Sequence, residues 1–272
     1  MRGFICYTRT MFSWRVRRQL AAIAVVLALV GGITVWFVGR SLPDASCTDN
    51  RRNHGETDVD CGGPCSPCEL KNPKPVSIFW ARFGRASADA YDLAALVDNP
   101  NQTLSSDLVA YEFTLLDEYG IIGEKSGTAY IYPGERLAII EPNVHTAREA
   151  KRVEFSVTRV VWKGTAPARP QLIVERREHR IREDEGKQQS VVEAQILNAG
   201  PHRYRAADID FLVFDDAGNL IGANRIVMED IGPQERRTVT SIWPQPLAGA
   251  VAAIEVYPRV NLFAPGTIVA PQ

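Results

Sequence analysis

Nineteen consecutive residues without a charge, Leu20 to Val38 (LAAIAVVLALVGGITVWFV), constrain everything else in this chain. As a helix rising ~1.5 Å per residue they would extend roughly 28 Å, close to the ~30 Å hydrocarbon layer of a bilayer. The run predicts one transmembrane helix over residues 20–39. Residues 1–19 form a short arm that carries Arg2, Arg9, Arg15, Arg17 and Arg18 and no acid. Basic flanks are retained in the cytoplasm, which orients the chain N-in, C-out and places residues 40–272 outside the cytoplasm. A cleaved signal peptide is the competing reading. Its apolar core would span only about 7–15 residues, and no small-x-small cleavage site follows closely here. The nearest lipid-attachment candidate, Asp44-Ala45-Ser46-Cys47, has Asp where a lipobox wants Leu. An uncleaved anchor is the expectation. Met11 as an alternative start would leave the helix and three of the arginines in place. Gly31-Gly32 reads as lipid-facing, since no second small-residue motif accompanies it.

Charge is unevenly split. Five of the 31 basic residues lie in the first 39 positions, leaving 26 against 32 acidic residues, a net of −6, in the remainder. An acidic extracytoplasmic part argues against nucleic acid as a partner. The 233 residues after position 39 suffice for two domains of about 100 residues each.

Residues 40–75 hold four of the five cysteines, Cys47, Cys61, Cys65 and Cys68, and no apolar periodicity. Cys6, in the arm, reads as a free thiol. An even number of cysteines in an extracytoplasmic segment too small for a core predicts two disulfides. Three pairings are open; the closeness of Cys65 and Cys68 favours a bond from each to Cys47 or Cys61. Oxidising surroundings disfavour a four-cysteine zinc site. Cys65-Ser-Pro-Cys68 is a C-x-x-C without the strand-then-helix context of a thioredoxin motif, so a thiol-disulfide redox factor is the minor reading. Asp49, Asn53, Glu56, Asp58 and Asp60 crowd five oxygen side chains into twelve residues. Calcium, which takes six to eight oxygens, is the functional reading; turn chemistry of Asp and Asn is the bland one.

The segment resembles a cysteine-rich motif of bacterial secreted and surface proteins, C-x-D-G-x-x-N-x-x-E-T-G-V-D-C-G-G-x-C-x-x-C. This chain supplies Cys47, Asp49, Asn53, Glu56, Thr57, Val59, Asp60, Cys61, Gly62, Gly63, Cys65 and Cys68, and departs at Asn50 and Asp58, where the pattern has Gly. The resemblance implies a small disulfide-bonded module next to an anchor or between domains; it does not imply an activity. Asp49, Asn53, Glu56 and Asp60 match the pattern and are the expected calcium ligands; Asp58 is a bystander.

Beyond the stiff linker Lys71-Asn72-Pro73-Lys74-Pro75 the pattern turns to short strands. Val76–Phe83, Tyr91–Val97, Leu108–Leu116, Gly127–Tyr132, Arg136–Ile140 and Arg152–Trp162 are separated by turn signals. The second half then repeats the first at an offset near 100. Leu96-Val97-Asp98-Asn99 answers Ile196-Leu197-Asn198-Ala199. Phe113 to Gly120 answers Phe211 to Gly218, and Pro133-Gly134-Glu135-Arg136 answers Pro233-Gln234-Glu235-Arg236. The expected fold is all-β: two tandem antiparallel sandwiches, residues 76–168 and 169–272, the second ending in a C-terminal tail, behind the helix and the disulfide-rich module of residues 40–75. The strand-Asn-x-Gly, Asp-x-x-Gly and Pro-x-Glu pieces are similar to FxLYD-type and related immunoglobulin-like envelope domains. That resemblance implies an immunoglobulin-like fold and an extracytoplasmic setting, and brings no catalytic residues.

None of the four histidines, His54, His145, His179 and His202, is spaced as a metal pair or sits near a nucleophile motif. No Walker loop, dinucleotide fingerprint, G-x-S-x-G or H-E-x-x-H is present. Trp80, Trp162 and Trp243 are core candidates, with a sugar-stacking platform as the alternative. Arg176 to Lys187 (RREHRIREDEGK) reads as an exposed strand and hairpin, with a peptide-binding edge as its functional alternative. Asn101-Gln102-Thr103 is a glycosylation sequon. The expectation is a non-enzymatic, single-pass protein of a bacterial envelope that binds or scaffolds another envelope protein or a surface polymer. A carbohydrate-binding module or a redox factor using Cys65 and Cys68 are the alternatives.

Overall fold

The computed structural model describes residues 14–41, 47–165 and 167–269. The expectations for Cys6, Met11 and residues 44–46 fall outside these. Helix α1 (Trp14–Ser41) starts earlier than the apolar run, because Arg15, Arg17 and Arg18 are good helix formers that continue it toward the N-terminus. The Arg18 guanidinium lies over the Trp14 ring at 4.7 Å. Over Trp14–Phe37 the helix is long and apolar enough to cross a membrane, and none of that window is buried against the rest of the chain.

Strands β1 (Ser77–Arg85), β2 (Ala90–Asp98), β3 (Ser106–Leu116), β4 (Ile121–Ile131), β5 (Arg136–His145) and β6 (Arg152–Val160) make the first half. They form two antiparallel sheets, ordered β1–β2–β5 and β4–β3–β6. The second half has β7 (Leu172–Asp184), β8 (Lys187–Asn198), β9 (Arg203–Phe214), β10 (Leu220–Ile231), β11 (Arg236–Trp243) and β12 (Ala253–Arg259). Its sheets, β7–β8–β11 and β10–β9–β12, repeat the first half strand for strand. The end of the chain is more than a tail: β13 (Ile268–Val269) pairs with β9 at Tyr204 and Arg203.

Period-2 alternation builds each core. On β3, Val109, Tyr111, Phe113 and Leu115 point inward against Leu93, Val97 and Ile139, whereas Glu112 and Thr114 between them face away. On β9 and β8, Ile209, Phe211, Val213, Val192 and Ile196 do the same. The Asp-x-x-Gly pieces are equivalent hairpins. Asp117 Oδ1 accepts from Tyr119 N (2.8 Å) and Gly120 N (3.0 Å), and Asp215 Oδ1 accepts from Asn219 N (2.7 Å).

One alignment of the repeat shifts by a residue. Asn99, not Asp98, is the counterpart of Asn198. Both are fully buried. Asn99 Nδ2 donates to Leu104 O (2.7 Å) and Tyr132 O (2.8 Å); Asn198 Nδ2 donates to His202 O (2.8 Å) and Gly232 O (2.9 Å). Each asparagine thereby ties the end of its strand to the turn carrying Glu135 or Glu235. Those glutamates close their own turns, accepting from Tyr132 N (2.8 Å) and Gly232 N (2.6 Å).

The two halves are not beads on a linker. The outer face of β2 and β5 packs on the outer face of β9 and β10. Ala94, Leu96, Ala138 and Ile140 meet Leu212, Phe214, Leu220 and Ala223 in a third buried cluster. Three alanines let the sheets approach closely. Gly84 is required at the rim, since a Cβ there would lie 2.6 Å from Leu220 O. Polar ties ring the cluster. Asp92 accepts from Ala223 N and Asn143 N (both 3.0 Å), Arg82 donates to Gly218 O (2.6 Å), and the Tyr132 hydroxyl donates to Val260 O (2.7 Å). Arg259, buried, pairs with buried Glu135 at 3.3 Å, donates to Tyr130 O (2.6 Å) and lies 4.0 Å over the Tyr130 ring.

Candidate functional site

The cysteine module has almost nothing apolar to bury, so its shape comes from covalent bonds and hydrogen bonds. Cys47 bonds Cys65, and Cys61 bonds Cys68. Of the three pairings the sequence allows, this is the crossing one, and its bonds close two interlocked loops. Cys65 and Cys68 are therefore each bonded to a different partner and not to each other. Cys-Gly-Gly has a steric reason. Gly62 and Gly63 both have positive φ, and a Cβ on Gly63 would collide with Gly55 O. Asn50, standing where the motif has Gly, also has positive φ (57°), a conformation asparagine tolerates.

The oxygen side chains are aimed largely at donors within the loop. Glu56, buried, accepts from Asn53 N (3.2 Å) and Asp60 N (3.3 Å). Both carboxylate oxygens of Asp60 accept from Asn50 N (3.0 Å each). Asp49 accepts from Arg51 N (2.9 Å) and from Asn53 Nδ2 (2.7 Å), and the Asn53 bond does most to hold its carboxyl below the usual range. Asp58 Oδ1 caps Val59 N (2.8 Å). Among the described residues, three ligand-type groups do converge, Cys47, Glu56 and Cys65. Both of those sulfurs are spent in one disulfide. With the carboxylates serving as struts, Asp60→Asn should lower the thermal midpoint of the purified chain by a few degrees, to the same extent with and without millimolar calcium. A calcium-dependent loss would instead identify Asp60 as a ligand.

The module is seated on the first sandwich. Glu69 Oε2 accepts from Thr103 N (2.8 Å) and Thr103 Oγ1 (2.6 Å), Glu69 Oε1 accepts from Gln102 N (3.2 Å), and Pro67 lies against Gly164. Asn101 clasps the linker through Lys74 N and Lys74 O (both 2.9 Å). That role buries Asn101 completely, so the sequon is closed to modification in the folded chain. A concavity of about 360 Å³ remains at the seam, bounded by Thr57, Gly63, Pro67, Glu69 and Thr103.

A second concavity, about 330 Å³, lies between the sandwiches and is lined by Asp92, Asn143, Ala223, Asn224 and Trp243. Burial pushes the Asp92 carboxyl up, against the pull of its two backbone donors and the Trp243 side chain. Asp92 has its hydrogen bonds made by the fold and acts there as a tie between the halves.

The three tryptophans form no common platform. Trp243 belongs to the core of the second sandwich, Trp162 flanks that of the first, and Trp80 flanks the cluster between them, edge-on to Phe214. Burial of each indole's apolar area in a different core explains the separation. His179 contacts buried Ser190 (3.3 Å), whose hydroxyl also accepts from Leu247 N (3.1 Å). His145 pairs with Asp89 on the surface. What sequence reasoning missed was the contact between the halves, whose residues look like ordinary strand alternation. The one signal was β2, AYDLAALVD, apolar on both faces. No family model matches the chain, and no curated protein matches it.

Proposed function

We propose that the chain is a single-pass protein of a bacterial envelope, N-in and C-out, whose two immunoglobulin-like sandwiches bind or scaffold another envelope component without catalysis. The observation that carries the reading is continuity. An exposed apolar helix long enough to span a bilayer leads, through a module held by two disulfides, into two sandwiches locked face to face. Such a chain tethers one coupled pair of sandwiches to a membrane. Disulfides persist in oxidising compartments, which fits the module lying outside the cytoplasm. The concavities are ringed mainly by residues whose polar groups already serve the fold, which favours surface recognition over small-molecule chemistry.

Protease added to intact spheroplasts should degrade residues 47–269 and leave only a fragment containing α1. Full protection of the sandwiches, with digestion only after lysis, would reverse the orientation. Release of an intact ectodomain without protease would establish cleavage of the anchor instead.

A further inference from the structure

The last strand of one sheet is unfinished. β7 lies at the end of the order β11–β8–β7, and among the described residues no strand pairs with its outer side. It is thirteen residues long, an open template of backbone donors and acceptors. A bulge interrupts it between Val174 and Arg176, and the Glu185-Gly186 turn, both residues at positive φ, ends the hairpin. The regular stretch is therefore Arg176–Asp184, and its midpoint is Arg180.

We propose that this edge is a self-association surface, on which β7 of a second copy of the chain pairs antiparallel about Arg180. Two physical conditions select that register. In an antiparallel pair, facing residues must both point toward, or both away from, the other strand. Two identical edges can meet that condition only if the dyad falls on a residue, not between two. Among the dyads on a residue, opposite charges must face each other. Centred on Arg180, Arg176 faces Asp184, Arg177 faces Glu183, and Glu178 faces Arg182, each twice across the dyad. Exposed Ile181 is then covered by His179. Moving the centre to His179 puts Arg176 against Arg182 and Glu175 against Glu183. Moving it to Ile181 puts Glu178 against Asp184 and Arg180 against Arg182. Moving it to Glu178 puts Arg176 against Arg180. The two Arg180 side chains on the axis are each already paired with Glu193 of their own β8, which offsets their repulsion. The facing groups are available: Arg176, Glu178, Arg182 and Asp184 side chains are between 40% and 73% exposed; Arg176 pairs with Glu178 and Arg182 with Asp184 along the strand, and Arg182 also donates to Gln189 of β8 (2.7 Å).

The test is disulfide trapping with the full chain in its membrane, in a Cys6→Ser background. Facing Cα atoms in an antiparallel pair lie about 4.5–5.5 Å apart, within the reach of a disulfide. Arg180→Cys should give a covalent dimer under mild oxidation. Glu178→Cys and Arg182→Cys alone should give several-fold less, since each lies roughly 13 Å along the strand from its own copy; mixed, they should crosslink to each other. Glu178→Arg should cut Arg180→Cys trapping several-fold, and adding Arg182→Glu should restore it. The proposal is overturned by trapping at 178 or 182 alone equal to that at 180. It is likewise overturned if Arg180→Cys stays monomeric, or if the charge swap fails to rescue.

Discussion

Arg259→Ala is expected to destabilise the folded chain by about 3–5 kcal/mol, the range for removing one partner of a buried ion pair. The reason is what stays behind. Glu135 would remain almost wholly inaccessible, its turn-closing bond from Tyr132 N intact but its charge without a counter-ion in contact. Tyr130 O would lose its donor, and the Tyr130 ring its cation. Arg169, 3.8 Å away and half exposed, is too loosely placed to substitute. For a body of this size such a loss corresponds to a thermal midpoint lower by roughly 6–20 °C. The second half holds its own control. Glu235 occupies the equivalent turn, but its partner Arg237 sits at the surface. Arg237→Ala should cost under about 1 kcal/mol, as exposed pairs do. Thermal unfolding of both variants, followed by tryptophan fluorescence of the full chain in detergent, reads the contrast. Equal midpoints would mean that Glu135–Arg259 contributes nothing beyond a surface pair.

Much of this architecture could be read from residues alone, for identifiable reasons. The apolar run announces a helix because no polar residue interrupts it. The cysteines announce disulfides because residues 40–75 have almost nothing apolar to bury. The halves announce a shared strand order because their hairpins use the same Asp-x-x-Gly chemistry. Strand β4 was legible only in part. Its first half, Ile121 to Ser126, breaks alternation with Gly123 and the charged pair Glu124-Lys125, and it forms because β3 offers it a ladder that ends at the Asp117 turn. The repeat register shifts at Asn99 because the side chain that matters is defined by the carbonyls it reaches, Leu104 O and Tyr132 O, and the second lies 33 residues away in sequence. The oxygens of the acidic loop could be counted from composition, but the N–H groups that Asp49, Glu56 and Asp60 face could not. Contact between the halves was hidden because Leu212 and Ala138 alternate as any outward-facing strand residue would. Only their partners across the interface show that outward here still means buried.

That hidden cluster predicts how the molecule comes apart. Leu212 is fully buried, yet it belongs to neither sandwich core; it packs among Ala94, Leu96, Ala138 and Ile140 of the other half. Leu212→Asp would place a carboxylate between two apolar sheets with no donor set aside for it, and such a charge escapes only by reaching water. The cheapest route is to part the sheets, because the cores around Phe113 and around Phe211 contain none of these residues. The expected result is loss of coupling rather than loss of fold. The β-sheet circular dichroism should persist, the single unfolding transition should split in two, and protease should gain access to the 161–171 connection. A cavity in one core should behave differently. Leu115→Ala removes a buried side chain of the first sandwich and should cost about 2–5 kcal/mol within one still-coupled transition. If Leu212→Asp instead unfolds everything together with the native denaturant slope, the halves share one core, and the face-to-face contact is part of the fold rather than a joint between two folds.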